Sequence, residues 1–237
     1  SLPLNERPRF CSLYFHEPDW TGHETGPQSS ETGAVVRHLD SLFGDLITKL
    51  GQLPISSKLN IIALADHGMA EISSDRTVDL SDYTDMSQII QEGSGPYALL
   101  YSKEEGIIHS AVDDLKNALN ISVFLKKDIP DRFHFKNHHR IKDALVIADE
   151  GWYIQNQATS SSSTAGEYIP TGGTHGYDNQ LKSMHALFIA QGPDFKNDIV
   201  TEPFENVNIY PMIAHILDID PSKKIDGNLN NIKHFLK

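Results

Sequence analysis

Three short stretches combine carboxylate and imidazole side chains in the way that metal-dependent hydrolysis requires. The first pairs Asp19 with His23 four residues later, the second is the adjacent pair Asp66 and His67, and the third contains His175 within a Gly-Gly-Thr-His-Gly sequence. Carboxylates and imidazoles suit Zn²⁺ and similar divalent ions, and this set exceeds the four ligands of one tetrahedral zinc. The surplus indicates two metal ions, which can clamp the attacking and leaving oxygens of a phosphoryl displacement.

Each stretch also has a simpler interpretation. A lone Asp-x-x-x-His pair is usually two polar side chains that face solvent and bind no metal. The sequence Asp66-His67-Gly68 can be a turn in which the aspartate caps the following segment. The glycines around His175 can mark a tight loop that needs positive φ. Each signal is weak by itself, whereas the three together, in this order, favour a metal site.

The elements that must position these residues follow an α/β pattern. The apolar run Leu13–Phe15 predicts a strand that ends in a polar loop, and a helical pattern runs from Thr32 to a glycine C-cap at Gly51. The continuous apolar run Asn60–Ala65 predicts a buried parallel strand that ends at Asp66. Polar residues at both strand exits predict a site at the C-terminal ends of the strands.

The rest of the chain is more mixed. Strands are predicted at Tyr97–Tyr101, Ala144–Ile147 and Ala186–Ala190, and helices at His109–Leu119 and near Val207–Leu217. Gln157–Gly166 is rich in Ser and Thr, which predicts an exposed loop. We find no internal repeat and no composition change sharp enough to mark a domain boundary.

Composition excludes several classes of protein. The chain has 237 residues and a formal net charge of −12, which argues against nucleic acid as a bound partner. No apolar run approaches the roughly 18 residues of a membrane span. The single cysteine, Cys11, excludes an intrachain disulfide and any multi-cysteine metal site. Because the chain starts at Ser1 without a Met or a signal peptide, we expect a processed protein or a piece of a longer one.

Several stretches together carry a resemblance to a known family. Those with the candidate ligands are Tyr14–Pro27, Ala65–Met69 and Thr174–Asn179, and others are Asp131–Asn137, Ala148–Trp152, Gly192–Phe195 and Phe204–Tyr210. The chain thereby resembles the nucleotide pyrophosphatase/phosphodiesterase family (type I phosphodiesterase) of the alkaline phosphatase superfamily. The resemblance implies an α/β fold with a mostly parallel central sheet and helices on both faces. Residues 1–237 would form the C-terminal portion of one catalytic domain, with a more variable insert at about 70–170.

The resemblance also implies a role for each matched ligand. One zinc ion would be held by Asp19, His23 and His175. The other would be held by Asp66 and His67, together with an aspartate from earlier in the domain. One metal would lower the pKa of the nucleophile and the other would stabilise the leaving oxygen.

Further residues are candidates for contacts around the ligands. Tyr14 matches a pocket tyrosine that lies near the nucleoside in the family. Asp178 and Asn179, just past His175, are candidates to orient its imidazole. The family nucleophile is a Thr or Ser at a helix start that precedes everything in this chain, and it forms a covalent phosphoryl-enzyme intermediate. Ser160–Ser163 is a poor substitute, because a polar loop does not hold a hydroxyl in attack geometry.

The strand with the sixth ligand and the helix with the nucleophile therefore lie outside this sequence, and we expect the chain alone to be inactive. The complete enzyme is expected to cleave phosphodiester or pyrophosphate bonds of nucleotides in the periplasm or outside the cell. The alternatives within the superfamily are a phosphomonoesterase, a phosphonate hydrolase and a lipid-head-group phosphodiesterase. A non-catalytic, metal-stabilised binding domain is a further alternative, which the upstream sequence would decide.

Overall fold

The computed structural model describes residues 2–3, 6–156 and 171–237. Within them the helices are α1 (Asp19–Thr25), α2 (Ser30–Gly51), α3 (Glu105–Leu115) and α4 (Ile209–Ile216). The strands are β1 (Ile61–Leu64), β2 (Ala70–Ile72), β3 (Thr77–Val78), β4 (Ile90–Glu92), β5 (Tyr97–Tyr101), β6 (Ile121–Leu125), β7 (Ala144–Ala148), β8 (Tyr153–Ile154), β9 (Gly172–Thr174) and β10 (Phe188–Gln191). The whole loop expected at Gln157–Gly166, with Ser160–Ser163, lies outside the described residues, within the range 157–170.

The chain divides into two compact units. The first comprises Ser1–Pro18, Arg37–Asp66 and Leu187–Lys237, and the second comprises Asp19–Val36 and His67–Ala186. Each unit is assembled from segments that are separated in the sequence. No single linker therefore divides them, which explains why composition shows no boundary.

The first unit contains a two-stranded ladder and its own core. Strands β1 and β10 pair antiparallel, with Ile62 opposite Ala190. Apolar residues beyond β10 complete the core, in which Phe195 and Met212 are buried. The rings of Phe188 and Phe204 meet edge to face at 5.1 Å, an arrangement that aromatic pairs prefer.

The second unit is built on a four-stranded sheet in the order β4-β5-β7-β6. All five residues of β7 are buried, as expected for an inner strand with the sequence Ala-Leu-Val-Ile-Ala. Helix α3 contacts β6 and buries one apolar face. That face consists of Ile108, Ala111, Val112 and Leu115, at the three- and four-residue steps of an amphipathic helix.

Two smaller ladders complete the second unit. Strand β2 pairs antiparallel with β9, with Ala70 opposite Thr174. Strand β3 pairs parallel with β8, with Val78 opposite Ile154. The β2–β9 ladder positions one of the candidate ligands, because β9 leads directly to His175.

The α/β class is confirmed, but the direction of the described strand pairings differs from the mostly parallel sheet that was expected. Among the named strands, β3 and β8 form the parallel pair, and the other pairings are antiparallel. A continuous apolar run reports that a strand is covered on both faces, but it carries no information about the direction of its neighbour. The prediction for Asn60–Ala65 therefore identified a strand correctly, but the strand pairs antiparallel and its residues are half-buried or exposed rather than buried.

The predicted strand at Leu13–Phe15 is wrong in the described structure. These residues have no regular secondary structure, and Leu13 and Tyr14 are 71% and 81% exposed. An isolated extended segment gains no stability from its apolar side chains without a neighbouring strand.

Helix boundaries shift by a few residues. Helix α3 begins four residues before His109 and ends four residues before Leu119, and Asn120, with a φ of 64°, directly precedes β6. Over the residues that the structure describes, no helix combines the length and the apolar character needed to cross a membrane.

Candidate functional site

Helix α1 brings together Asp19 and His23, both in the second unit. The aspartate lies in the first turn and the histidine in the last turn of this seven-residue helix. Side chains four residues apart lie on the same face of a helix, so the carboxylate and the imidazole are neighbours. A negative charge at the start of the helix also interacts favourably with its dipole.

Strand β9 brings His175 to this helix. Because Thr174 ends the strand opposite Ala70, His175 is the first residue beyond the ladder. Helix α1 packs directly on β9, and the contact is close. A Cβ on Gly172 would lie 2.1 Å from the carbonyl oxygen of His23, and a Cβ on Gly173 would lie 2.6 Å from that of Gly22. The two glycines therefore permit an approach that any larger residue would prevent.

Met69 packs against the contact between α1 and β9. Its Sδ lies 2.7 Å from the position of a Cβ on Gly22 and 2.5 Å from that of a Cβ on Gly173. The side chain thus packs against the bare backbone of both α1 and β9. Sequence reasoning assigned Met69 no role, although the paired glycines before Thr174 were a local signal of close approach.

The three side chains converge around one carboxylate oxygen. Oδ1 of Asp19 lies 3.4 Å from Nε2 of His23 and 3.6 Å from Nε2 of His175. This oxygen is buried and has no hydrogen-bond partner. A buried, unsatisfied carboxylate oxygen is costly, so its position between two imidazole nitrogens needs an explanation.

The orientation of His23 supplies part of that explanation. Its Nδ1 lies 2.8 Å from the carbonyl oxygen of Gly173, so Nδ1 carries the proton that is donated to this acceptor. Nε2 then carries the lone pair and faces Asp19. A metal-ligating histidine typically donates its other ring nitrogen to a carbonyl or a carboxylate in this way.

The three side chains fit a divalent metal ion. Their ligand atoms lie within 4.8 Å of one another, and no other group of three or more His, Cys, Asp or Glu side chains meets that criterion in the part of the chain that the structure describes. Ligand atoms bound to one tetrahedral zinc at about 2.0–2.1 Å lie about 3.3–3.4 Å apart. The observed spacings of 3.4 and 3.6 Å are close to that value.

His67 lies beside this centre. Its ring stacks on the ring of His175 with the centroids 3.4 Å apart and the planes 12° apart. Nδ1 of His67 lies 3.0 Å from the carbonyl oxygen of Gly68, which again directs a proton to Nδ1 and the lone pair to Nε2. Asp66 belongs to the first unit, where its carbonyl oxygen accepts a hydrogen bond from the side-chain amide of Asn206 at 3.4 Å.

The remaining candidates occupy different surroundings. Tyr14 lies in the first unit and is largely exposed. Asp178 accepts hydrogen bonds from the Arg132 guanidinium and from the backbone N–H of Gln180. Asn179 donates its side-chain amide to the carbonyl oxygen of Arg132 at 3.0 Å. Both residues therefore contact Arg132, which sequence reasoning did not single out.

Tyr177 anchors the loop that follows His175. Its hydroxyl donates to the carbonyl oxygen of Trp152 at 2.8 Å, and its side chain is almost fully buried. Burial disfavours the phenolate and raises the pKa of Tyr177 to about 12. The phenol is therefore a neutral hydrogen-bond donor at any physiological pH.

A carboxylate and two imidazoles gathered at the ends of short α and β elements form a group that could hold a metal ion on an α/β scaffold. The family of type I phosphodiesterases/nucleotide pyrophosphatases matches residues 1–178 of the chain. The chain therefore belongs to that family.

Two known relatives align with most of this chain. Human bis(5'-adenosyl)-triphosphatase ENPP4 is 36% identical over 90% of this chain and 45% of its own length. Ectonucleotide pyrophosphatase/phosphodiesterase family member 3 from Rattus norvegicus is 34% identical over the whole chain and 27% of its own length. The chain thus spans between about a quarter and a half of these relatives.

Solved structures of ENPP5 share the fold. Human ENPP5 superposes with a TM-score of 0.80 at 32% identity, over 95% of this chain and 58% of that one. Murine ENPP5 gives the same values in an inactive variant, with a threonine replaced by alanine, in complex with AMP. The alkaline phosphatase-like fold expected from the sequence is thereby confirmed.

Proposed function

We propose that this chain is the C-terminal portion of a two-zinc hydrolase that cleaves phosphodiester or pyrophosphate bonds of nucleotides. The observation that carries the proposal is the buried Oδ1 of Asp19, which lies without a hydrogen-bond partner between two imidazole nitrogens. Membership of the phosphodiesterase family gives that arrangement a chemical purpose. The proposal covers residues 1–237 as part of one catalytic domain, with a more variable insert at about 70–170.

Two sets of residues would hold the ions. Asp19, His23 and His175 would bind the first, and Asp66 and His67 would bind the second with an aspartate supplied by the preceding part of the domain. Zinc at such a centre lowers the pKa of a bound nucleophile and neutralises charge on phosphoryl oxygens.

The residues of this chain prepare the centre. The carbonyl oxygens of Gly173 and Gly68 fix the tautomers of His23 and His67, so that Nε2 is the ligating nitrogen in each. The packing of α1 on β9 sets the separation between Asp19 and His175. Oδ1 of Asp19 already lies at nearly the spacing of zinc ligands from both imidazole nitrogens, and such preorganisation favours tight and specific binding.

The nucleophile would come from the part of the domain that precedes this chain, where a Thr or Ser would form a covalent phosphoryl intermediate. The inactive threonine-to-alanine variant of murine ENPP5 supports a required threonine in this family. Exposed apolar side chains in the first unit, at Leu13, Tyr14, Leu64 and Ile189, support a missing packing partner. We therefore expect the chain alone to be inactive.

The AMP complex of murine ENPP5 supports a nucleotide as the substrate. Tyr14 would contact the nucleoside once the domain is complete. The names of the relatives, with the prefix ecto- and the term venom phosphodiesterase, support a secreted or extracellular location.

Zinc binding tests the centre. Asp19→Asn keeps the size of the side chain and removes its charge. Loss of an outer partner of a ligand typically costs about 10–100-fold in metal affinity. We therefore expect loss of the ligand itself to cost about 100-fold or more, as measured by competition with a chromogenic chelator. The matched control is Asp113→Asn, because Asp113 is an exposed carboxylate whose Oδ1 lies 2.7 Å from Nζ of Lys116 on the surface of the second unit. An Asp19→Asn chain that binds zinc within twofold of the unaltered chain would exclude this residue as a ligand.

Catalysis tests the division of the domain. A nitrophenyl ester of a nucleotide is offered to the chain alone with added Zn²⁺, and then to a version extended by the preceding residues of its gene. We expect turnover only from the extended version. Robust turnover by the chain alone would show that the nucleophile lies within it. Parallel assays with a monoester, a phosphonate ester and a lysophospholipid separate the nucleotide diesterase from its superfamily alternatives.

A further inference from the structure

Arg132 contacts the loop that follows His175 in two ways. It belongs to a short 3₁₀ turn at Asp131–Phe133. Its Nη2 donates to Oδ2 of Asp178, and its carbonyl oxygen accepts the side-chain amide of Asn179 at 3.0 Å. The side chain and the main chain of one residue therefore hold two consecutive residues of the loop.

The ion pair between Arg132 and Asp178 is partly shielded from water. The two side chains are 32% and 31% exposed. The guanidinium lies over the ring of Phe133, with Cζ 4.3 Å from the ring centroid, which restricts its rotation. A partly buried pair of this kind is stronger than an exposed one, and removal of one partner leaves an uncompensated charge.

The loop between this pair and His175 is very short. Only Gly176 and Tyr177 separate His175 from Asp178. On one side of His175, the chain is fixed by the pairing of Thr174 with Ala70. On the other side, it is fixed by the hydroxyl of Tyr177 and then by the contacts to Arg132. The direction of the His175 imidazole depends on both anchors.

We infer that Arg132 is a positioning residue for His175. Through Asp178 and Asn179 it fixes the loop that holds Nε2 of His175 at 3.6 Å from Oδ1 of Asp19. The described hydrogen bonds of Arg132 join it to Asp178 and Asn179. The inference rests on the proposed metal-binding role of His175, and it assigns to Asp178 and Asn179 a role in fixing the loop rather than in contacting the imidazole.

Three variants of the full 237-residue chain test the inference. Arg132→Gln and Asp178→Asn each remove one charge of the pair, and Arg132→Lys keeps the charge but loses the planar guanidinium. The matched control is Lys116→Gln, which breaks the exposed pair between Lys116 and Asp113. Zinc affinity is measured by chelator competition at a temperature where circular dichroism shows that every variant is folded.

We expect Arg132→Gln and Asp178→Asn each to weaken zinc binding by about 10–100-fold, the range typical of partners behind a metal ligand. Arg132→Lys should fall between them and the unaltered chain, and Lys116→Gln should not change the affinity. The double variant Arg132→Gln/Asp178→Asn should bind zinc no more weakly than the single variant with the lower zinc affinity, because both changes break the same contact. Affinities within twofold of the unaltered chain, or equal losses in the control, would overturn the inference.

Hydrogen–deuterium exchange separates this inference from the proposed function. If the unaltered chain binds no zinc, the proposed metal centre is refuted, whatever Arg132 does. The positioning role is then decided by amide exchange in the segment 172–181, which Arg132→Gln should accelerate and Lys116→Gln should leave unchanged. Unchanged exchange in Arg132→Gln would refute the positioning role by itself.

Discussion

Replacing Gly173 by alanine is expected to disturb the geometry of Asp19, His23 and His175 without replacing any of these candidate ligands. The new Cβ would lie 2.5 Å from Sδ of Met69 and 2.6 Å from the carbonyl oxygen of Gly22. The methionine is flexible and can swing away at small cost. The carbonyl oxygen belongs to the backbone of α1, so it can retreat only if the helix and the strand separate.

The size of the effect follows from these distances. Ordinary contacts to a Cβ begin near 3.4 Å, so α1 and β9 must move apart by about 0.8 Å. Inserting a methyl group into a packed contact typically costs about 1–3 kcal/mol of stability. The same movement would increase the distance of 3.6 Å between Asp19 and His175, and would stretch the hydrogen bond of 2.8 Å from His23 to Gly173. We therefore expect zinc affinity to fall by about 10–100-fold.

Two assays check the result. Thermal unfolding reports the stability loss, at about 2–4 °C per kcal/mol for a chain of this size. Chelator competition reports the zinc affinity. The matched control is Gly44→Ala, the same chemical change at an exposed position of α2, where the new Cβ has no atom within 4 Å apart from its chain neighbours and the backbone of its own helix. That control should gain up to about 1 kcal/mol, because alanine favours a helix interior.

A Gly173→Ala chain that binds zinc as tightly as the unaltered chain would contradict this prediction. Loss of affinity without loss of stability would also contradict it, since both effects are derived from one displacement. Met69→Ala in the Gly173→Ala background should restore little, because the clash with the backbone of Gly22 remains.

Two further predictions concern the stability of the second unit. Because burial raises the pKa of Tyr177 from the ordinary value of about 10 to about 12, the stability from this group is fully present below about pH 10 and is lost as the pH rises towards 12, by about 2 kcal/mol. Urea unfolding between pH 8 and 11.5 should show that the free energy of unfolding declines less in Tyr177→Phe than in the unaltered chain. An identical decline in both proteins would contradict the raised pKa of Tyr177. Leu100→Ala, at a fully buried position of β5, should cost about 2–5 kcal/mol in the same assay, whereas Leu119→Ala, at a position that is 71% exposed, should cost almost nothing. Equal costs at the two positions would show that the core of the sheet is not where the structure puts it.

The sequence alone was most informative where the signal is local. The spacing of Asp19 and His23 marked them as a candidate ligand pair, although the structure places them on one helix where a polar loop was expected. The apolar runs at Tyr97–Tyr101 and Ala144–Ile147 predicted strands that coincide with β5 and β7. These features depend on residues that are close together in the sequence, so composition and periodicity reveal them.

The features that escaped prediction depend on distant partners. The ion pair of Arg132 with Asp178 joins residues 46 positions apart, and nothing near Arg132 marks it. The strand expected at Leu13–Phe15 required a neighbour, which periodicity does not supply. Gly173 lets α1 pack closely on β9 because it has no side chain, and its carbonyl oxygen accepts the hydrogen bond from His23. The sequence indicates the first of these features but not the second.

The carbonyl acceptors behind His23 and His67 determine the electrostatic character of the centre. A histidine that donates to a carboxylate would bring a second negative charge close to the ion, whereas the carbonyl oxygens of Gly173 and Gly68 are neutral at every pH. With Asp19 as the one charged ligand among Asp19, His23 and His175, a bound divalent cation would leave this set with a net charge of +1. An otherwise acidic chain, with a formal charge of −12, would thus present a local positive charge that attracts an anion such as a phosphate group.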